Sequence, residues 1–486
     1  MRKEVLRMDH VVLLENRQPL LNDLSIQVFE GEIYGVLGLE RHGGAELFRL
    51  VAWNDPIQSG HVFFRERLVN DGETGDGSRN KVAVIDGSSR LIESLSLADN
   101  LFVIRPGFRQ FVIHERVLEE QTEQLLQKYG ICLPCSVKVE ELKPYERIVA
   151  ELLRAVVAGE RLVILMDIPD LLGSEELMEF HRLLQKMTGF GMTFLYVYNH
   201  HETLQKICDR IAIFKKGRVE KVVEPTDSLS EHVRIFARPA YERLSQLAES
   251  KVAPGRDTVL QLDRVNWGGL RQFSMSIRSG ETVLLIDHNN NAVLDDLMDL
   301  FRTLNRRQAI PGVVAQKAPG ELRIGILPRA PARTTLFPDM SFLDNLCFAL
   351  GEKIPGIWSK RRLRNSVALE FREELGDLLE EKQLYALHSQ DLYTLAYYRY
   401  LIAKPDLVVC IQPISGLDMY LRPHILRLIT RLRDSGIPVL VLSSNLYDTL
   451  YVADRVLWVE DGKVTLERER DRFQDIRLLQ KDLFPD

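Results

Sequence analysis

Cysteine is scarce in this chain: five residues in 486, an odd number scattered along its length, which excludes a disulfide framework. Cys132-Leu133-Pro134-Cys135 has the spacing of a redox pair or half a zinc site. No second pair accompanies it, so the cysteines are read as structural and no metal site is expected. Long apolar runs are also missing, and none reaches the roughly 18 residues that span a bilayer. An excess of positive charge is absent too: 63 Lys and Arg stand against 69 Asp and Glu, a net charge of −6. That balance argues against a general nucleic-acid binder, whose phosphate contacts call for a basic surface. The first residues, Met1-Arg2-Lys3-Glu4-Val5, hold no signal-peptide core, so a cytoplasmic protein is expected. What remains is ordinary soluble composition, 45% hydrophobic and 27% charged, in a chain too long for one core. Roughly two to four domains are expected.

The stretch that organises the first half runs from Gly31 to Leu47. An aliphatic run, Ile33-Tyr34-Gly35-Val36-Leu37, ends in a glycine-rich turn, and an apolar-periodic helix follows through Leu47, Phe48, Leu50 and Val51. This is the layout of a phosphate-binding loop, Gly-x-x-x-x-Gly-Lys-[Ser/Thr]. In such a loop backbone N–H groups curl round phosphates, the lysine meets their charge and the hydroxyl holds Mg²⁺. Gly38 and Gly43 keep the glycine spacing, but Gly44 stands at the lysine position and Ala45 at the hydroxyl position. Gly38, Gly43 and Gly44 could still receive an anion at a helix N-terminus; read structurally, the same glycines are only a turn between strand and helix.

Further along, Lys81–Asp86 reads as a strand, Glu115–Gly130 and Leu142–Val157 as helices, and Leu162–Asp167 as a buried parallel strand ending in an acid. Met192–Tyr198 and Ile211–Phe214 complete an alternating series, hence an open α/β sheet. Residues 236–256 are polar, with Pro239, Pro254 and Gly255, and read as a linker. Then the pattern restarts. Gly280 follows Gly31 by 249 residues, and Asn345 and Asp454 follow Asn100 and Asp209 by 245. Two homologous domains are therefore expected, 1–235 and 257–486, each with its own core.

These segments together resemble the ATP-binding subunits of ABC transporters, and more narrowly the tandem-cassette subunits of bacterial ribose, galactose and related simple-sugar importers. The narrow likeness rests on Arg323–Pro328, on Leu336–Ser341 with Asp344-Asn345, and on Val439–Leu446. The resemblance implies two tandem ABC-type folds, each a P-loop α/β core with a helical subdomain and a small antiparallel β region. It also implies a set of catalytic groups, most of which are replaced here. Asp167 matches the acid that holds Mg²⁺ through water, but Ile168 stands where a glutamate would polarise the attacking water. Gly87 falls at the coupling glutamine. The signature Leu-Ser-Gly-Gly-Gln reads Leu142-Lys143-Pro144-Tyr145-Glu146. Asn199 falls at the switch histidine, with His200 one place on, and no aromatic near Leu13–Glu15 would stack adenine. The second half departs further. Its loop is Asp287–Leu294 with Val293 at the basic position, its acid pair is Ile411-Gln412, and its signature is Leu387–Asp391.

Removing one electrostatic contact from such a site costs about 10²–10³ in rate, and several are missing, so no catalytic residue is assigned. Gly38, Gly43, Gly44 and Asp167 remain as a vestigial nucleotide site. No cofactor is expected beyond weak ATP binding in the first cassette. The expectation is a non-hydrolysing, ABC-like subunit of a carbohydrate uptake or sensing system, acting as scaffold or regulator. Its partner would be a membrane permease subunit or related membrane complex, with a homodimer or partner ATPase possible and no nucleic acid. It would sit peripherally at the inner face of the cell membrane. By the resemblance, permease docking falls on Leu101–Gly130 and Leu346–Leu387. The second stretch carries Lys360-Arg361-Arg362-Leu363-Arg364, read as a solvated face or a docking surface. The alternatives are a working sugar-import ATPase completed by a partner, and a soluble ribosome-associated tandem-cassette protein.

Overall fold

The structure is a computed structural model; it describes every residue except 1, 16–17, 41–43, 73–76, 104–113, 225–228, 250–254, 288–291, 307, 318–320, 349, 351–358, 444–448 and 474–486. Two compact units form: Met1–Arg238 with Gly416–Tyr420, and Pro239–Ser415 with Leu421–Asp486.

The first unit opens with two long antiparallel strands, β1 (Glu4–Glu15) and β2 (Gln18–Phe29). After them come β3 (Ile33–Gly38), α1 (Gly44–Ala52), β4 (Ser59–Phe64), β5 (Arg67–Asn70), β6 (Val82–Ile85), α2 (Leu97–Phe102) and α3 (Glu115–Tyr129). The unit continues with α4 (Pro144–Val157), β7 (Leu162–Met166), α5 (Ser174–Thr188), β8 (Thr193–Tyr198), α6 (His201–Ile207), β9 (Arg210–Lys215), β10 (Arg218–Val223) and α7 (Leu229–Phe236). A six-stranded sheet has the order β10-β9-β3-β8-β7-β6. Its strands run parallel except β10, which pairs antiparallel with β9. A separate antiparallel sheet, β2-β1-β4-β5, stands beside it. In β7 the run Leu162-Val163-Ile164-Leu165 is wholly buried, as a strand covered on both faces must be. Leu47, Leu50 and Val51 on one side of α1 join Leu6, Leu24, Tyr34 and Ile164 in one core.

The second unit repeats this order. After α8 (Arg238–Glu249) come β11 (Thr258–Trp267), β12 (Leu270–Arg278), β13 (Thr282–Asp287), α9 (Ala292–Asn305), β14 (Val313–Ala315), β15 (Ile324–Leu327), α10 (Pro331–Thr334), α11 (Phe342–Phe348) and α12 (Ser359–Glu370). Then follow α13 (Arg372–Leu375), α14 (Ser389–Ala403), β16 (Leu407–Ile411), α15 (Leu421–Asp434), β17 (Val439–Ser443), β18 (Arg455–Glu460) and β19 (Lys463–Glu469). Its main sheet, β15-β16-β17-β13-β18-β19, has the first unit's strand order, and its small sheet is β12-β11-β14. The stretch 236–256, expected as a polar linker, contains α8 instead. Ala237, Ala240, Leu244 and Leu247 are buried at helical spacing, and Pro239 sits in the first turn, where its missing N–H is not needed.

The duplication extends to polar contacts. Glu32, 3% exposed, pairs with Arg210 at 2.9 Å and accepts from the Phe29 amide at 2.7 Å. Glu281, 1% exposed, pairs with Arg455 at 2.8 Å and accepts from the Arg278 amide at 2.8 Å. Asp209 Oδ2 accepts from the Ile33 amide and Asp454 Oδ2 from the Thr282 amide, both at 2.8 Å. Asn100 and Asn345 are each buried and each close one loop, accepting the Ile92 amide at 2.8 Å and the Phe337 amide at 2.9 Å. Gly217 and Gly462, at positive φ on the β9–β10 and β18–β19 hairpins, come so near β2 and the β11–β12 turn that a Cβ would fall 2.3 Å and 2.0 Å from a carbonyl oxygen.

All five cysteines are free. Burial, with Glu123 and Glu119 nearby, pushes the Cys135 thiol up, so Cys135 lacks the electropositive setting that makes a thiol reactive.

Two predictions follow from this packing. Arg455→Met leaves the Glu281 carboxylate buried without its cation and is expected to cost about 3–5 kcal/mol. Urea unfolding measures this, and Glu281→Gln in the same chain should recover part of the loss. The second concerns His181 and His424, whose ring nitrogens lie 3.1 Å from the Tyr196 hydroxyl and 2.8 Å from Thr394 Oγ1. Burial first, then Lys206 beside His181 and Arg427 beside His424, holds both imidazoles down at about 4 against the ordinary 6.5. Between these values the unfolded chain binds protons that the folded chain refuses. Stability present above 6.5 is therefore lost as pH falls toward 4. Urea midpoints should drop between about pH 7 and about pH 5, and drop less in a His181→Gln, His424→Gln variant.

Candidate functional site

The strand that carries the phosphate loop is an inner strand of its sheet. Residues Ile33 to Leu37 of β3 are buried between β8 and β9. Gly38 ends the strand, and a Cβ there would lie 3.1 Å from Asn199 Oδ1. Asn199 therefore takes the place beside the loop. His200 is 5% exposed and packs on Tyr198, with ring centroids 5.1 Å apart, so no slip in register brings the histidine to the loop. Gly43 lies outside the described residues. Gly44 opens α1, and a Cβ at this position meets nothing within 4 Å. The first turn of α1 carries Glu46, a charge of the wrong sign for an incoming phosphate, although it suits the helix dipole.

Asp167 follows β7 with φ 52, and its amide donates to the Val197 carbonyl at 3.2 Å. Its neighbour Ile168 is fully buried. The position that would hold an acid beside the attacking water is thus a core side chain. Gly87 has φ 79, a conformation that suits glycine and strains glutamine, and a Cβ would come within 2.7 Å of Leu171 Cδ1, which would have to shift. At the start of α4, Lys143 is exposed and Pro144 occupies the first turn. Proline has no N–H to donate to a phosphate.

In the second unit Asp287 ends β13, 3% exposed, where phosphate would approach. Residues 288–291 lie outside the described residues. Val293 and Leu294, which stand at the loop's cation and hydroxyl positions, are buried in the unit's main core. By strand register the counterpart of Asp167 is Gln412. It too follows its strand at positive φ (43), and its amide donates to the Leu442 carbonyl at 2.7 Å. Pairing by the neighbouring proline, which aligns Asp167 with Ile411, is one residue out. Ser443 is buried at the end of β17, and residues 444–448 lie outside the described residues. His388 and Ser389 open α14, both exposed. On α12, Arg361 and Arg362 are exposed while Arg364 pairs with Asp344 at 3.0 Å.

The strand order, the loop after β3 and the repetition of both place the fold. No protein-family model matches the chain. The ribose import ATP-binding protein RbsA 2 of Mesorhizobium japonicum is 23% identical, covering 94% of this chain and 93% of its own length. The arabinose import ATP-binding protein AraG of Pseudomonas savastanoi pv. phaseolicola is 21% identical over 95% and 93%. The chain is a homologue of tandem-cassette sugar-import ATP-binding proteins. Among solved structures, the archaeal ribosome recycling factor aABCE1, crystallised with the ribosomal stalk protein aP1, overlays with TM-score 0.59. It covers 97% of this chain and 92% of its own at 14% identity, and so shares the fold. Gly44, Ala45 and Ile168 in the first cassette, and Val293, Leu294 and Gln412 in the second, hold no lysine, hydroxyl or acid at those places. Among the described residues no group of three His, Cys, Asp or Glu could hold a metal ion, and no helix is long and apolar enough to cross a membrane.

Sequence reasoning passed over one feature, a cavity of about 460 Å³ between the end of α3, the start of α4 and α5. Its signal was the i, i+4 pair Arg182 and Lys186, which without the fold is only a basic helix face.

Because the space at Gly44 is open, Gly44→Lys should fit without repacking. One restored charge-assisted contact is expected to tighten binding of a fluorescent ATP analogue about tenfold or more, with hydrolysis unchanged because Ile168 remains. Gly87→Gln should lower stability by about 1–3 kcal/mol, read from the unfolding midpoint.

Proposed function

We propose that this chain is a non-hydrolysing ATP-binding-subunit homologue of a carbohydrate uptake system, acting as a scaffold or regulator on a membrane permease. One observation carries the reading. Ile168, the residue after Asp167, is fully buried, so the first cassette has no group at that place to activate water. The gap is therefore built into the core and is not a matter of a mobile side chain. Supporting it, the cation and hydroxyl positions of the second cassette are core residues.

Preservation of the body supports a role for the fold itself. Both units keep full six-stranded sheets and the buried Glu–Arg and Asn clamps. The relatives named for ribose and arabinose import cover the whole tandem length, which favours transport over a ribosomal role. The likeness to a ribosome recycling factor, at 14% identity, is one of fold.

Phosphate release from Mg²⁺–ATP is expected to stay at background for the purified chain, alone and with a permease co-expressed from the same genome. The chain should nonetheless co-purify with that permease in detergent. Turnover that is Mg²⁺-dependent and lost in Asp167→Asn would overturn the non-hydrolysing assignment, and failure to co-purify would overturn the docking role.

A further inference from the structure

Strand β14 closes one side of the second unit's small sheet, whose order is β12-β11-β14. The Gly312 carbonyl accepts from the Asp263 amide at 2.7 Å, and the Gln316 amide donates to the Val259 carbonyl at 3.0 Å. The even-numbered residues of this stretch therefore face β11. In an antiparallel ladder the alternate residues turn the other way, so Ala315 directs its amide and carbonyl, and Val313 its carbonyl, away from β11. Among the described residues no strand pairs with them there. The first unit does not leave this edge open. There β5 pairs antiparallel with β4, matching Arg67 with Phe64, Leu68 with Phe63 and Asn70 with Val62, and the small sheet has four strands. Chain length accounts for the difference: residues 65–81 lie between β4 and β6 and include β5, whereas only 316–323 lie between β14 and β15.

The two sheets also differ beneath this edge. Ala315 pairs with Leu260 as Phe64 pairs with Leu6, and those leucines pair in turn with Ile277 and Val28. Phe64 is 8% exposed and belongs to the first unit's core. With alanine at its counterpart, a cavity of about 310 Å³ lies against β14, walled by Leu304, Ile310 and Leu322 of the second unit's core. Val314, also at the cavity, is 64% exposed. Among the described residues that wall it, Lys317 alone is charged, and it is paired with Asp406 at 2.6 Å. The groove thus offers unpaired backbone and hydrocarbon, without net charge. An open ladder beside an apolar pocket is the arrangement that takes up an extended peptide. Main-chain hydrogen bonds supply affinity, and the pocket selects a side chain.

We propose that the outer edge of β14 docks an extended segment of a partner polypeptide, which completes the small sheet as an antiparallel fourth strand. The segment places a large apolar side chain, phenylalanine or leucine, in the cavity beside Ala315. Its form is the one that the first unit supplies to the same edge from its own chain. This surface is separate from the nucleotide loops and does not depend on whether ATP is hydrolysed.

The test uses the full chain and a fluorescein-labelled peptide, Lys-Thr-Val-Thr-Phe-Thr-Val-Lys, whose apolar residues share one face of a strand. Fluorescence anisotropy should show saturable binding, and the same peptide with alanine in place of phenylalanine should bind about tenfold more weakly. Ala315→Pro removes the outward amide and none of the bonds to β11; it should abolish binding with little change in the unfolding midpoint. Ala315→Phe fills the cavity from within and should erase the difference between the two peptides. Hydrogen exchange across 313–317 should slow when the first peptide is bound. Absence of binding overturns the proposal. So does binding that survives Ala315→Pro, or equal affinity of the two peptides for the unmodified chain. Self-association of the chain that Ala315→Pro abolishes would assign the edge to a second copy and overturn the choice of partner.

Discussion

A buried carboxylate held by one arginine anchors each half of this molecule. Glu32 ends the turn before β3, and Arg210 begins β9, so their pair ties the strand under the phosphate loop to its neighbour. Asp209, beside Arg210, completes the tie through the Ile33 amide. Glu281, Arg455 and Asp454 repeat the arrangement. A low-dielectric site makes such a pair costly to form and costlier to break from one side. Burial raises the affinity of Glu281 for its proton, and Arg455 opposes that rise. Both sheets are registered by this contact, and nothing in it concerns nucleotide. Chemistry could therefore be lost from the loops while the framework beneath them stayed whole.

Much of this framework was legible in the sequence. Period-two and fully apolar runs placed β7, β8 and β9, and helical spacing placed α3 and α4. The repeated Ser-x-x-Asp-Asn segments at 96–100 and 341–345 marked one loop built twice, because Asn100 and Asn345 each accept from one backbone amide of the loop and donate to its carbonyls. What stayed hidden depends on side-chain direction or on burial supplied from afar. A gapless count could not decide between Asn199 and His200, since one residue in a loop after a strand turns the side chain through the sheet; the structure turns His200 inward onto Tyr198. Proline pairing misplaced Gln412 by one because the turn after the strand is spaced differently in the two halves. The stretch 236–256 looked polar because its buried face rests on only four residues, Ala237, Ala240, Leu244 and Leu247, among polar neighbours.

The candidate site shows the same division. Gly44, Ala45 and Ile168 were visible as replacements, but only the fold shows that one leaves open space and another is core. Gly87 reads as a lost glutamine in sequence; its φ and its closeness to Leu171 make it a residue the local backbone now requires. The cavity lined by Lys143, Arg182 and Lys186 joins segments some forty residues apart, a closeness that no local pattern encodes.

Val293 and Leu294 give the two halves different tolerance to substitution. In the first unit the vacant place at Gly44 touches nothing, so an ancestral side chain could return there by single substitutions. In the second, the same places have become hydrocarbon packed against Leu285 and Leu442. A lysine there would have to bring its charge into that hydrocarbon, at a cost set against the unit's stability. The C-terminal half thus holds these two places by packing, so a cation introduced there would work against folding.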